Sequence, residues 1–136
     1  MTLFADTSVW SLTFRRDKPQ SEPEVVALIH AFSSREAIFV TGLVLQEMLQ
    51  GFAGPKARSQ IIERFAALPF LVPEAHDHIE AAELRNRCRR SGIQIETVDA
   101  LLAQLCIHHD LVMLATDKDF AHIAEHSALK LWGPNR

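Results

Sequence analysis

The chain has no run of about 18 apolar residues, the length a membrane-crossing helix needs. Its opening, Met1-Thr2-Leu3-Phe4-Ala5-Asp6, also lacks the basic-then-apolar plan of a secretory signal. No membrane association is therefore expected, and a cytoplasmic location is. There are only two cysteines, Cys88 and Cys106, too far apart for a close-spaced metal motif and expected as isolated thiols in a reducing compartment. Basic residues are not in excess: 14 Lys and Arg stand against 17 Asp and Glu, for a formal net charge of −3. Bulk positive charge is thus excluded as a source of binding, and the placement of the charges becomes the informative quantity. Repeats, low-complexity segments and linkers are absent too, so a single domain over residues 1–136 is expected. That length buries roughly 65–70% of the surface exposed by the unfolded chain, enough for one core without staples.

What the chain does have is a regular alternation of short apolar runs and longer helical patterns. Strands are expected near residues 2–5, 37–40, 70–72, 111–115 and 129–132. Helices are expected from about 8, then near 22–33, 42–52, 55–67, 74–91, 97–109 and 118–125. Pro19, Pro23, Pro55, Pro69 and Pro73 punctuate helix starts or loops, and Gly51, Gly54 and Gly92 mark ends or turns. Only residues 15–23 read as a polar loop. Such alternation predicts an α/β fold, a three-layer α/β/α sandwich around a central, mostly parallel sheet of four or five strands.

Onto that framework the sequence places four acids. Asp6 follows the apolar Leu3-Phe4-Ala5 and precedes a helix, so it sits at a strand-to-helix turn. Glu47 lies in the second turn of the helix after Ile38-Phe39-Val40, with Thr41 as the expected cap. Asp99 falls in the first turn of the clearest helix, where Thr97 is the expected cap and Val98, Leu101, Leu102, Leu105 and Cys106 recur at helical spacing. Asp117 comes directly after the strand Leu111-Val112-Met113-Leu114-Ala115. In a parallel sheet all four positions fall at the carboxyl edge, where open α/β folds bind ligands.

Four carboxylates in one cleft repel one another unless a cation intervenes. Oxygen-only donors suit Mg²⁺, with Mn²⁺ as a substitute, and offer nothing that zinc would favour. Mg²⁺ commonly completes its shell with phosphate oxygens, so phosphodiester hydrolysis is the chemistry this pattern predicts. Other acidic Mg²⁺ pockets fit less well. A receiver domain needs an acidic pair near the first strand, and Asp6 has no acidic neighbour; an Asp-x-Asp phosphatase is excluded because Thr7 and Ser8 follow Asp6.

The motifs Asp6-Thr7-Ser8-Val9-Trp10, Gln46-Glu47-Met48, Val98-Asp99-Ala100-Leu101-Leu102 and Thr116-Asp117-Lys118-Asp119-Phe120 resemble, in order and spacing, the PIN-domain ribonucleases, and among them the VapC toxins of toxin–antitoxin pairs. The resemblance covers essentially the full chain. It implies a PIN-like domain acting as a metal-dependent endoribonuclease, usually dimeric and held inactive by a cognate VapB-like antitoxin. Residue by residue it implies that Asp6, Glu47, Asp99 and Asp117 are catalytic and hold Mg²⁺, mainly through Asp6 and Asp99. Asp119 contributes in place of Asp117 or beside it, or else caps or braces the last helix; Asp117, nearest the strand end, is preferred for the fourth place. Thr7, Ser8 and Thr116 match positions that orient the carboxylates or metal-bound water, or they serve as caps. The alternative is a catalytically silent RNA-binding or receiver-like Mg²⁺-binding module.

The bases are clustered. Arg85, Arg87, Arg89 and Arg90 crowd one helix end before Ser91-Gly92, and Arg15, Arg16 and Lys18 follow the first helix. Arg85, Arg89, Arg90 and Arg15 are candidates to grip an RNA backbone; the competing role is to complement a helix dipole. The helices at 42–52 and 55–67 carry Leu43, Val44, Leu45, Met48, Leu49, Phe52, Ile61, Ile62, Phe65 and Leu68, which either pack on the sheet or leave a groove for a partner helix. None of the seven histidines is assigned to catalysis, His76-Asp77-His78 included, since that pair lacks the further spaced ligands of a His-Asp phosphohydrolase.

Overall fold

The protein is described here by a computed structural model covering residues 2–15, 22–34 and 36–133. The elements run β1 (Leu3–Ala5), α1 (Thr7–Phe14), α2 (Pro23–Ser34), β2 (Ile38–Thr41), α3 (Gly42–Gly51), α4 (Pro55–Ala66), β3 (Phe70–Leu71), α5 (Ala75–Arg90), α6 (Thr97–His108), β4 (Val112–Leu114), α7 (Lys118–Glu125) and β5 (Lys130–Leu131). The expected strands and helices are all present, with ends moved by a residue or two. Of the expected polar loop, Arg16 and Lys18 lie outside the described residues.

The five strands form one sheet in the order β3-β2-β1-β4-β5. All four pairings are parallel, with Leu3 opposite Ile38 and Val112, and Ala5 opposite Leu114. The chain therefore steps outward from β1 to β3, then crosses back to β4 on the other side of β1. Right-handed crossovers assign α1–α4 to one face and α5–α7 to the other, which agrees with the contacts of α1 with α2 and α3, and of α6 with α5 and α7. The sheet is thus covered on both faces, and that is why Leu3, Phe4 and Ala5 are all buried rather than alternating.

Each helix buries one stripe. In α6 that stripe is unusually wide: Ala100, Leu101, Leu102, Ala103, Leu105 and Cys106 are all buried, as a helix enclosed between the sheet, α5 and α7 requires. In α1, Trp10 is fully buried against Phe65, Phe32 and Phe14. The apolar surface of α3 and α4 goes mainly inward: Val44, Met48, Ile61 and Phe65 are buried, and Ile62 is exposed. Both cysteines are free and buried. Among the described residues no helix is long and apolar enough to cross a membrane.

Helix ends follow local chemistry, in two places differently from expectation. Thr41 caps α3 as expected, its hydroxyl accepting from Val44 N at 3.2 Å. Helix α6, however, is capped at Glu96, and Thr97 is its first helical residue. Gly92 closes α5 at φ 81°, where Ile93 N donates to Cys88 O and Gly92 N to Arg89 O, the paired bonds of a Schellman end. Likewise it is Asp117, not Asp119, that caps α7, its carboxylate accepting from Asp119 N at 2.9 Å.

Candidate functional site

The reversal of strand order between β1 and β4 opens a crevice at their carboxyl ends, the place where a doubly wound sheet binds its ligand. Asp6 follows β1 directly, and its N–H extends the ladder by donating to Leu114 O at 2.9 Å. Asp6 is buried, at 6% exposure. Asp117 and Asp119 follow β4, and Asp99 enters from the first turn of α6, which starts at the same edge. Asp99, Asp117 and Asp119 each present an oxygen, and these oxygens lie within 4.8 Å of one another. Glu47 reaches the rim from the second turn of α3 and contributes its charge to the field on Asp6.

The hydroxyls around this cluster are used to orient it. Ser8 Oγ donates to Asp6 Oδ2 at 2.9 Å, Ser8 N donates to the same oxygen at 3.3 Å, and Thr116 N donates to Ser8 Oγ at 3.2 Å. One serine thus fixes the Asp6 carboxylate and ties the end of β1 to the segment after β4. Thr7 Oγ1 donates to Glu47 Oε1 at 2.7 Å, tying α1 to α3. Thr7 and Ser8 therefore reach the carboxylates with their side chains, whereas Thr116 takes part through its backbone.

The electrostatics record the crowding. Burial, to which Asp6, Asp117, Glu96 and Asp119 add their charges, pushes the Asp99 carboxyl up to about 7. Burial likewise raises Asp6, against the Ser8 side-chain and backbone hydrogen bonds that lower it. Cys106, beneath Asp6, is pushed up by burial and then by the Asp6 charge, so its thiol stays protonated and takes no part. The charged neighbours that shift Asp99 are all acidic, so the cluster is charge-frustrated as it stands. A divalent cation fits it: the donors are all carboxylate oxygens, and two positive charges would relieve the repulsion that raises Asp99. Glu96 is the member of this field that the sequence reading missed; an acid immediately before the Asp99 helix was the available signal.

The basic residues are placed unequally. The carboxyl end of α5 and the amino end of α6 are joined by residues 91–96, so Arg85, Arg89 and Arg90 lie at the end of the helix pair that carries Asp99. Arg85 is committed to structure, its Nε donating to Ile95 O at 2.9 Å, and Arg89 bonds Asn86 Oδ1 at 3.1 Å on its own helix. Arg90 is exposed. Arg15 ends α1 and is exposed.

Known proteins agree with this architecture. The structure is similar to that of VapBC2 from Rickettsia felis bound to a promoter DNA fragment, at 16% identity over 98% of this chain and all of that one, with a TM-score of 0.72. It is similar to FitAcB from Neisseria gonorrhoeae, at 22% identity over 99% of both chains and a TM-score of 0.69. It is similar as well to VapC20 of Mycobacterium tuberculosis, a sarcin-ricin loop cleaving toxin, at 18% identity over 88% of this chain and 93% of that one, with a TM-score of 0.64. No curated protein matches by sequence. Residues 3–126, from the first residue of β1 to just past the end of α7, match the PIN domain, and the chain belongs to the PIN domain family.

Proposed function

We propose that residues 1–136 act as one PIN-like domain, a cytoplasmic, Mg²⁺-dependent endoribonuclease of the VapC toxin type. The observation that carries this reading is the convergence of Asp6, Asp99, Asp117 and Asp119 at one sheet edge, with the Asp99 carboxyl raised to about 7 by burial and then by the acids around it. Asp6 and Asp99 would hold the cation, with Asp117 and Glu47 as further ligands and Asp119 beside Asp117. Mg²⁺ or Mn²⁺ bound there supplies an activated water and neutralises charge on the phosphoryl oxygens.

The chain's own residues do the positioning. Ser8 holds Asp6 in one rotamer, Thr7 does the same for Glu47, and the Asp117 cap fixes the start of α7 and hence Asp119. The N-terminus of α6 directs its positive dipole end at the crevice, which favours a phosphate there. Arg89 and Arg90 extend the RNA path away from the acids, with Arg15 and the half-buried Arg85 as further backbone contacts. Among proteins of like fold, VapC20 is a sarcin-ricin loop cleaving toxin, and VapBC2 is bound to promoter DNA. By that likeness this chain is a toxin restrained by a cognate VapB-like antitoxin, and by the resemblance of its motifs to the VapC toxins it is a homodimer.

The test is to incubate metal-stripped protein with total cellular RNA, with and without Mg²⁺ or Mn²⁺, beside Asp6→Asn and Asp99→Asn, and to map new RNA ends. Discrete metal-dependent cuts that vanish in both variants are expected. Intact RNA in the presence of bound metal would reject the nuclease reading in favour of a non-cutting RNA-binding module.

A further inference from the structure

At the opposite end of the α5–α6 pair lies a second cluster of potential ligands, of different chemistry. The two helices run antiparallel, so the first turn of α5 meets the last residue of α6. Asp77 is buried there with its side chain 1% exposed, while the side chains of His76 and His108 are 52% and 33% exposed. The two Asp77 oxygens have separate tasks. Oδ2 accepts from Glu74 N at 2.9 Å, and Oδ1 faces His108 Nδ1 at 2.8 Å and His76 Nε2 at 3.5 Å. The two imidazoles meet edge to face, at 73° with centroids 4.5 Å apart, so that a nitrogen from each turns toward the same oxygen. His109 stacks on His108 at 4.2 Å and fixes the plane of that ring.

We propose that His76, Asp77 and His108 form a second metal site, which takes a borderline transition-metal ion, Zn²⁺ foremost. With bonds of about 2.0–2.1 Å, tetrahedral coordination sets neighbouring donors roughly 3.3–3.4 Å apart. The observed separations of 2.8 and 3.5 Å bracket that value, and one donor atom from each of the three residues lies within 4.8 Å of the others. Two imidazoles and one carboxylate are a zinc-type donor set, unlike the all-carboxylate cluster at the other end of α6. The Glu74 N–H supplies the outer hydrogen bond that holds a ligating carboxylate in place. Three protein donors, two of them exposed to solvent, leave a fourth position for water or a ligand from another molecule.

The site is separate from the acid cluster, because His108 lies nine residues beyond Asp99 on one helix, about 14 Å along its axis. An ion bound here would clamp the start of α5 to the end of α6, the helix that carries Asp99. The proposal does not depend on the nuclease reading.

The test is calorimetric titration of metal-stripped full-length protein with ZnCl₂ in saturating Mg²⁺, together with the visible absorption of a Co²⁺-loaded sample. One Zn²⁺ per chain and intense tetrahedral Co²⁺ bands are expected. Both should persist in Asp99→Asn, and affinity should fall at least about tenfold in His108→Gln and in His76→Gln. His76 is the more exposed residue and makes the longer contact, so its variant keeps the test decisive if His108→Gln proves unstable by circular dichroism. Absence of Zn²⁺ uptake, uptake unchanged in His76→Gln, or uptake abolished by Asp99→Asn would overturn the proposal and leave His108–Asp77 as a hydrogen bond alone.

Discussion

Thr7 Oγ1 donates to Glu47 Oε1 at 2.7 Å, a bond between residues forty positions apart that joins the helix after β1 to the helix after β2. Glu47 is exposed and on a long side chain, so without this partner it would sample several rotamers at the rim of the acid cluster. Removing the hydroxyl in Thr7→Val should therefore weaken Mn²⁺ binding by about 10-fold, the low end of what lost outer hydrogen bonds cost a metal site. Electron paramagnetic resonance of free Mn²⁺ in a titration measures this directly. Thr7→Ser should retain affinity, and unchanged affinity in Thr7→Val would show that the hydroxyl does not hold Glu47 in place.

The pH dependence of stability has a sign set by Asp99. Its carboxyl ordinarily titrates at 3.8 and is pushed up to about 7 in the fold, by burial first and then by the acids around it. Between those values the folded state binds more protons than the unfolded state, so Asp99 lowers the stability of the metal-free protein progressively from about pH 4 to pH 7. Asp6, also raised, acts in the same direction. Asp77 acts oppositely: burial would raise it, but the Glu74 N–H and the His108 ring outweigh that and lower it, so its stabilisation is present above 3.8 and is lost only in stronger acid. Calorimetric melting in chelator should show Tm falling between pH 4.5 and 7.5, less steeply in Asp99→Asn. Added Mg²⁺ should raise Tm more at pH 7.5 than at pH 5. A wild-type slope matched by Asp99→Asn would refute the assignment.

Much of this was legible in the sequence because a parallel sheet leaves little freedom. Once Leu3-Phe4-Ala5 and Leu111-Val112-Met113-Leu114 are read as strands, the first few residues after each strand and the first turn of the helix before β4 must share one edge, which brings Asp6, Asp99 and Asp117 together from the sequence alone. The caps were less legible. Glu96 rather than Thr97 occupies the N-cap position of α6, and Asp117 rather than Asp119 caps α7, because a slip of one or two residues reassigns a cap without disturbing the apolar period that located the helix. The engagement of Arg85 with Ile95 O was hidden in the conformation of a loop. The meeting of His76, Asp77 and His108 was hidden more deeply, since it requires knowing that two helix ends 31 residues apart are neighbours. Sequence periodicity fixes which face of a helix is apolar, not which residues end up opposite its ends.

Arg89 and Arg90 should separate RNA binding from RNA cleavage. Both are exposed on the last turn of α5, beside the start of α6, and the hydrogen bond from Arg89 to Asn86 is local to its helix. Replacing both by Ala should weaken binding of a single-stranded RNA and reduce the slope of log K against log salt by about 1 to 1.5, since each phosphate contact on a single strand contributes roughly 0.7. Filter binding across 50–250 mM salt, performed in Asp99→Asn to prevent cutting, gives the slope. An unchanged slope would assign these arginines to the negative end of the α5 dipole instead.

Trp10 supports the site from below. It lies one helical turn beyond Asp6, fully buried, with ring centroids 4.7 Å from Phe65 and 5.8 Å from Phe32. Trp10→Ala empties the centre of this aromatic group and should cost about 3–5 kcal/mol, a large part of the stability of a domain this size. Its Nε1 has no hydrogen-bond partner among the described residues. Trp10→Phe therefore breaks no observed hydrogen bond, and it removes an N–H whose burial is itself unfavourable. It should cost well under half as much as the alanine variant, a difference that urea denaturation followed by circular dichroism resolves. Because α1 also carries Thr7 and Ser8, the alanine variant should lose Mn²⁺ affinity at temperatures well below its midpoint, whereas the phenylalanine variant should not. Equal metal affinity in the two would mean that the acid cluster is held by the sheet alone.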